Sequence, residues 1–420
     1  MLMKFIKQWL AVLPLSCVLA PAFSQNMNSP YSIYGIGDMD FRPYNRTSGM
    51  GGTGMAIRSS YYLVDNNPAA IAGLTRSFFT VDAAFTGKTV RYSGTPINAD
   101  NSNNKDFWIK RLSLAVKINK FWASSVGFNQ FSNVNYVLTG DKPVNGTTGS
   151  YNTYYEGDGG LNEYYWTNSV QLGKRLSLGL KSSIIAGSIN QTETVADVNL
   201  STPVSTQIQD YIGKSRFQAG AIYTQPVNKQ WEVSLGGRFS PKIKMTSERT
   251  LTVTEGSTAV IEDEFIKSDR FYLPNTYAGG IAVKKQNKIT YALDYTYEDW
   301  SSLKIKEQGW QLVSSSRISG GIEIPRMSTT WNRQAVEKGF FQIGGFFHNS
   351  YLQVRNEPIR EFGFTAGLGG IIGSGLFYTL SLEAGSRGTT RQNLIKENYI
   401  QATFTFSYRD FLQSKGRKYN

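Results

Sequence analysis

Hydrophobic and polar residues alternate with a period of two along most of the chain after residue 76. The last such segment is the clearest, because Ile400, Phe404 and Phe406 fall on one face while Thr403 and Thr405 fall on the other. Successive side chains of a β-strand point to opposite faces, so this alternation predicts strands with one apolar and one polar face.

Fourteen segments carry this pattern and are predicted as strands. They are residues 77–87, 106–118, 121–137, 164–173, 176–190, 213–226, 231–247, 276–285, 288–300, 315–326, 339–348, 361–372, 375–385 and 398–411. Short polar or glycine turns alternate with longer polar loops such as 138–163 and 191–212, and only 327–338 is longer than its place in this order predicts. Short turns on one rim and long loops on the other are typical of an outer-membrane barrel.

The predicted fold is therefore all-β: a transmembrane antiparallel β-barrel of about 14 strands, formed by residues 77–411. In hydrocarbon every backbone amide needs a partner, and only a closed sheet leaves no open edge. The apolar faces would contact outer-membrane lipid and the polar faces would line the lumen. A soluble β-sandwich or propeller would bury the same apolar faces, and alternation alone does not exclude it.

Residues 1–24 have the features of a secretory signal peptide: a basic start, an apolar centre and a cleavage site at Ala22-Phe23-Ser24. Cleavage there would make Gln25 the first residue of the mature chain. Lipid modification of Cys17 is the alternative interpretation of this segment. Together with the barrel pattern, the leader predicts export to the outer membrane of a Gram-negative bacterium.

Composition removes several classes of function. The chain has one Cys and one His, so neither a disulfide framework nor a multi-histidine metal site is predicted. The net charge is +13, but the basic residues are dispersed except in the predicted periplasmic tail, residues 412–420. Nucleic acid is therefore not a predicted partner, because its recognition needs a clustered basic footprint.

No catalytic, cofactor or metal site is predicted, and the protein is not expected to be an enzyme. Residues 49–54 match a dinucleotide fingerprint formally, but no strand-to-helix unit follows them. His348-Asn349-Ser350 could hint at a serine hydrolase, yet no Gly-x-Ser-x-Gly motif exists. A lipid hydrolase would require a role for His348.

Residues 25–76 precede the first strand and are predicted to form a plug, or hatch, inside the lumen. A barrel of about fourteen strands is too wide for wall side chains alone to fill. Asn67-Pro68 favours a turn or a helix start, with proline at the first helical position. A periplasmic tail is the alternative, because chain termini are often disordered.

Several motifs, in this order along the chain, resemble the FadL/TodX (OmpP1) family of outer-membrane transporters of hydrophobic compounds. They are Ser48–Ala56, Asn66–Ala70, Trp231–Lys244, Leu273-Pro274 before Gly279-Gly280, and Asp299–Ser301. The opening Ser29–Gly35 and the tail Arg417–Asn420 resemble the Bacteroidetes branch of that family.

The resemblance implies an N-terminal hatch and a kinked third strand that opens the barrel wall sideways. The implied hatch residues are Gly49, Gly51, Gly52, Gly54, Asn67, Pro68 and Ala69. The candidates for the lateral opening are Asn129, Gln130, Phe131, Ser132 and Asn133. An ordinary strand end before the loop 138–163 is the alternative interpretation of this polar stretch.

The predicted function is passive, ligand-gated uptake of a hydrophobic small molecule, fatty-acid-like or aromatic, past the hatch. Candidate lumenal cations that could hold a polar head group, or act as salt-bridge partners, are Arg111, Lys117, Lys181, Arg238 and Arg409. The barrel-assembly machinery is a further expected partner. The alternative function is a component of a protein secretion or attachment machine that binds partner proteins through the loops 138–163, 191–212 and 248–275.

Overall fold

The computed structural model describes residues 29–76, 78–97, 102–143, 149–196, 202–329, 335–373 and 375–411. The predicted signal peptide (1–24), with its Cys17, and the basic tail (412–420) lie outside the described residues. Among the helices of the described part of the chain, none is long and apolar enough to span a membrane.

Fourteen wall strands follow one another around a single sheet, each antiparallel to the next. Their bounds are β1 Phe78–Gly94, β2 Asn103–Lys117, β3 Trp122–Pro143, β4 Ser150–Leu172, β5 Leu176–Ala196, β6 Val204–Pro226, β7 Trp231–Ser240 with Ile243–Glu255, β8 Thr258–Leu273 with Thr276–Lys285, β9 Ile289–Glu298, β10 Ser315–Thr329, β11 Ala335–Val354, β12 Glu357–Ile372, β13 Leu376–Gly388 and β14 Ile395–Phe411. The last strand pairs with the first from Ile395↔Gly94 to Phe411↔Phe78, which closes the barrel. The predicted fourteen-stranded barrel is confirmed.

The outer surface of the barrel is apolar, while many polar side chains and an apolar cluster that includes Leu161, Ile185 and Leu352 are buried inside. Phe107, Phe364 and Ile400 point outwards and are 68%, 73% and 64% exposed. In β14 the inward residues Thr403 and Thr405 are buried. An exposed apolar band around a closed sheet suits contact with lipid.

The three long loops of the sequence analysis are largely paired strands. The β3–β4 ladder runs to Pro143↔Ser150, the β5–β6 ladder to Val195↔Val204 and the β7–β8 ladder to Glu255↔Thr258. Loops 138–163, 191–212 and 248–275 are thus long β-hairpins that extend the wall beyond one rim. Polar residues predominate in much of their sequence and apolar ones such as Leu161, Leu251 and Val253 occur only in places, so the regular alternation from which strands are predicted is incomplete there.

A β-bulge in β2 brings two neighbouring cations into the interior. The ladder with β1 passes from Ala84↔Arg111 to Phe85↔Ile109, which leaves Lys110 as the extra residue. Lys110 and Arg111 are both buried, whereas Ile109 on one side is exposed to the outside. A strict period of two assigns Arg111 to the lumen but not Lys110, so the sequence analysis missed this second cation.

The inverted surface predicts a depth-dependent cost for charge on β14. Phe404→Arg places a guanidinium in the middle of the outward apolar band. It should destabilise the barrel and lower its free energy of unfolding from a bilayer by about 2–4 kcal/mol. Asn398→Arg is the matched control on the same face, near the rim, and should cost close to nothing. Equilibrium unfolding from lipid vesicles measures both, and equal costs would contradict the orientation of the band.

Candidate functional site

The N-terminal segment, residues 29–76, runs along the inside of the wall from one rim to the other. At its start, Ser29 Oγ donates to Glu397 Oε1 and Tyr31 Oη donates to the carbonyl of Ile395, where β14 begins. At its end, Lys117 Nζ donates to the carbonyl of Ala72, where β2 ends. These contacts place the segment between the long-hairpin rim and the short-turn rim.

Short 3-10 turns give the segment its compact form. They span Pro30–Ile33, Arg46–Met50 and Pro68–Gly73. The last begins at the Asn67-Pro68 pair singled out in the sequence, and the Asn67 side chain caps it by accepting from the Ala69 N–H.

Backbone of the segment touches backbone of the wall at glycine positions. A methyl group on Gly49 would lie 2.6 Å from Cα of Gly367 in β12, and one on Gly236 in β7 would lie 2.0 Å from the carbonyl oxygen of Met55. Both distances are too short for any side chain. The glycine-rich stretch that formally matched a nucleotide motif therefore lies where the segment packs closely on the wall.

Buried ion pairs join cations of the segment to anions of the wall. Arg42 Nη2 lies 2.7 Å from Glu361 Oε1 and 2.6 Å from Glu383 Oε1. Arg46 donates two hydrogen bonds to Glu323, at 2.9 and 2.8 Å. Such two-point arginine–carboxylate pairs fix orientation as well as position.

Ion pairs of the opposite polarity also fix the segment. Its anions meet wall cations in three pairs: Asp38 with Arg387 at 2.7 Å, Asp40 with Lys110 at 3.0 Å and Asp65 with Arg111 at 3.3 Å. Burial alone would raise the pKa of the Asp40 carboxyl, but Lys110 and Arg42 beside it hold that pKa below its usual value. Asp40 therefore stays ionised at neutral pH.

The five predicted lumenal cations all make contacts inside the barrel, and four of them hold the N-terminal segment. Arg111 pairs with Asp65, while Lys117, Arg238 and Arg409 donate to the carbonyls of Ala72, Asn66 and Ser60; Lys181 instead pairs with Glu163 of β4 at 2.6 Å. Two of the five, Arg111 and Lys181, thus make salt bridges, and the other three donate to backbone carbonyls.

A polar cavity of about 190 Å³ lies between the segment and the wall. Four arginines line it, Arg42, Arg216, Arg238 and Arg317, and among the described residues the last three have no carboxylate within 4.0 Å, whereas Arg42 pairs with Glu361 and Glu383. The Nε of Arg238 is buried without a hydrogen-bond partner. The wall carboxylates Glu163, Asp294 and Glu298 and the segment carboxylates Asp40 and Asp65 also line the cavity, so charges of both signs face it.

A larger pocket of about 680 Å³ lies at the long-hairpin rim, and its lining combines aromatic and aliphatic side chains with polar ones such as Arg249, Lys304 and Glu307. Its lining includes Ile33, Ile36, Phe271, Trp300, Ile305, Trp310, Leu312 and Tyr351. The rings of Trp300 and Tyr351 stack at 4.6 Å. Trp300 also lines the polar cavity, so the two spaces are neighbours. This size and chemistry suit a small hydrophobic ligand.

The ladder between β2 and β3 ends early, at Arg111↔Asn129. Beyond that rung β3 continues with a bulge at Phe131 and, among the described residues, pairs with the N-terminal segment instead of β2, through Asp38↔Asn133 and Met39↔Ser132. Residues 129–133, the candidates for a lateral opening, lie at this break. Lys110 Nζ donates across it to Gln130 Oε1 at 2.7 Å.

Sequence reasoning missed much of this site. The cavity arginines Arg216 and Arg317 and the segment arginines Arg42 and Arg46 were not among the candidate residues, nor were Trp300 and Trp310. One signal was available for the segment: a cation in a stretch predicted to lie inside a barrel requires an anionic wall partner. The aromatic pocket gave no such signal, because its lining comes from four distant parts of the chain.

The closed barrel with an N-terminal segment inside it defines an outer-membrane barrel with the fold of hydrocarbon channels. Similar solved structures are the monoaromatic hydrocarbon channel CymD (14% identity, TM-score 0.54, covering 90% of this chain and 99% of that one) and the Pseudomonas putida toluene transporter TodX (13%, 0.58, 89% and 100%). A Pseudomonas aeruginosa FadL homologue is also similar (12%, 0.58, 90% and 100%). At these identities the likeness concerns the fold.

A family model named BamG matches residues 5–420. The chain therefore belongs to the BamG family. No curated protein sequence matches it.

The close packing at Gly236 predicts a selective effect of substitution there. Gly236→Val must displace the Met55 backbone and should loosen the N-terminal segment, because the added group has no space. Gly237→Val is the matched control, since a methyl group there would lie 3.9 Å from its nearest neighbour. Limited proteolysis should cleave the segment several times faster in the Gly236 variant only. Equal protection of both would mean that the segment is not held by this contact.

Proposed function

We propose that the protein is a passive channel that takes hydrophobic small molecules through the outer membrane, with the N-terminal segment as its hatch. The observation that carries this proposal is the pocket of about 680 Å³ at the long-hairpin rim, with the aromatic rings of Phe271, Trp300, Trp310 and Tyr351 in its lining. Outer-membrane barrels place their longer connections outside the cell, which would direct this pocket to the exterior. The barrel fold shared with hydrocarbon channels supports the same function.

The proposed path leads from the pocket past Trp300 into the polar cavity and out through the break between β2 and β3. Trp300 borders both spaces, and Phe131 at the break borders the cavity. A ligand with a polar head would find guanidinium groups in the cavity, including the unpartnered Nε of Arg238. Its apolar part would remain against the aromatic rings.

The hatch must shift for a ligand to pass, because residues 38–40 occupy the break. Asp38 and Met39 pair with β3, and the Asp40 N–H donates to the carbonyl of Phe131 at 3.0 Å. Ligand in the cavity would compete for Lys110 and Arg42, which hold Asp40 there. Binding and opening would then be coupled through the same ion pairs.

The pocket predicts which aromatic residue controls affinity. Trp300→Ala removes a buried ring and should weaken toluene binding at least tenfold, since about 1.5 kcal/mol of lost apolar contact corresponds to that factor. Trp166→Ala is the control, because Trp166 is exposed on the outer surface. Equilibrium binding to the purified barrel measures both, and equal affinities would remove the pocket from the path.

The break predicts that a crosslink can close the path. Met39 and Ser132 are ladder partners, so cysteines at both positions fall within the ~7 Å Cα separation that a disulfide requires. The oxidised double variant should lose toluene uptake and regain it on reduction. The control pair Ser381 and Thr403, ladder partners in β13 and β14, should transport in both states. Undiminished uptake by the oxidised Met39–Ser132 protein would exclude a lateral exit.

A second candidate function is a place in the barrel-assembly machinery, to which the family name BamG points. The structural feature that favours it is the set of long hairpins, which carry β3 to β8 beyond the rim as an extended sheet. A partner protein would bind there. Replacing residues 138–155 by a short turn should then abolish co-purification of a partner protein while toluene binding persists. If the shortened protein still co-purified with the partner, that result would count against this function.

A further inference from the structure

The inner wall of β10, β11 and β12 brings a serine, a histidine and a glutamate together. Ser315 Oγ lies 3.1 Å from His348 Nε2, and His348 Nδ1 lies 3.8 Å from Glu361 Oε2. All three side chains are buried. We propose that they form an ester-hydrolysing site, an activity that goes beyond transport.

The three residues align because of the strand register. His348 is the ladder partner of Arg317 on one side and of Glu361 on the other, and Ser315 lies two residues before Arg317 on the same inward face. Side chains on a closed, fully paired sheet are held more precisely than side chains on loops. The order nucleophile, base and orienting carboxylate is that of serine hydrolases, which is recognised by geometry and not by sequence spacing.

Glu361 is the positioning residue of the three. Its Oε1 accepts from Arg42 Nη2 at 2.7 Å and from the Tyr399 hydroxyl at 2.6 Å, which leaves Oε2 to face His348. The 3.8 Å separation is an ion-pair distance. It would shorten once the imidazole takes a proton, as such contacts do in catalytic complexes. Because Arg42 belongs to the N-terminal segment, the position of the segment also fixes Glu361.

The polar cavity supplies room for a substrate and a charge for its oxyanion. Ser315, His348 and Arg317 all line it. Arg317 donates to the carbonyl of Gly51 through Nη2 at 3.0 Å, and its remaining N–H groups can stabilise a negatively charged oxygen beside Ser315. Glu298, the ladder partner of Ser315, is buried nearby, where its Oε2 accepts from Trp300 Nε1–H at 2.8 Å.

The reaction is an ordinary two-step acyl transfer to water. Ser315 Oγ attacks the ester carbonyl carbon while His348 Nε2 takes its proton; the ester C–O bond then breaks and the alcohol leaves with that proton. Water attacks the acyl-serine, again giving a proton to His348, and the carboxylic acid leaves as Ser315 recovers its hydrogen. The substrate class is a small apolar ester, which the aromatic pocket above the cavity would admit.

The test uses the full-length barrel in detergent micelles, with folding checked by heat modifiability on a gel. Phenylmethylsulfonyl fluoride should add to Ser315, as located by mass spectrometry, and the protein should hydrolyse 4-nitrophenyl butyrate. Ser315→Ala should abolish both, and His348→Gln should slow hydrolysis by about 10²–10⁴-fold. Ser316→Ala is the matched control and should retain both, because Ser316 binds Asn349 instead.

Three results would overturn the proposal. One is the absence of an adduct at Ser315 both in the native protein and in Gly236→Val, whose loosened segment removes any barrier to the reagent. The second is an adduct at another serine, such as Ser350. The third is hydrolysis by Ser315→Ala at the native rate. Toluene uptake is measured separately, so failure of the esterase leaves the transport proposal to its own tests.

Discussion

Closure of the sheet between β14 and β1 is the constraint on which the other features depend. Because seventeen consecutive rungs join these strands, the polar faces of all fourteen strands point into one enclosed space. Charged wall groups such as Glu323, Glu361 and Arg111 are thereby buried, and a buried charge needs a partner. The N-terminal segment provides those partners in both polarities, through Arg42, Arg46 and three aspartates. Wall and segment are thus complementary, and either alone would leave buried ions unpaired.

An early end of the β2–β3 ladder lies where the two features meet. β2 and β3 carry bulges at Lys110 and at Phe131, and their pairing stops at Arg111↔Asn129, just before both bulges. Open edge groups in a membrane wall are costly. Here Met39 and its neighbours supply part of the missing ladder, and Lys110 spans the break to reach Gln130 and Asp40. Movement of the segment therefore changes the wall as well as the lumen.

Alternation alone was enough to predict the fourteen strands and the inward phase of Thr403 and Thr405, because lipid on one side imposes a strict period of two. It failed where that constraint ends. Beyond the rim lipid no longer covers the outer face, so the hairpin strands lose the regular alternation and their sequence predicts loops, and a bulge at Lys110 breaks the period locally. The neighbours Ser315, His348 and Glu361 could not be predicted either, since strand register, which no local pattern encodes, brings them together.

A hydrophobic ligand can pass through a barrel with a charged lumen only if its path leaves out most of that lumen. An apolar molecule that crossed the full length of the barrel would have to displace the ion pairs of Arg42 and Arg46 from glutamates, which leaves buried charges unpaired. The proposed path leaves the Arg46 pairs in place and meets Arg42 only where it lines the polar cavity: it uses the aromatic pocket, the polar cavity of about 190 Å³ and the break beside Phe131. The ion pairs of Arg46 with Glu323 and Glu337 lie nearer the short-turn rim. They would hold the segment in the barrel while residues 38–40 move.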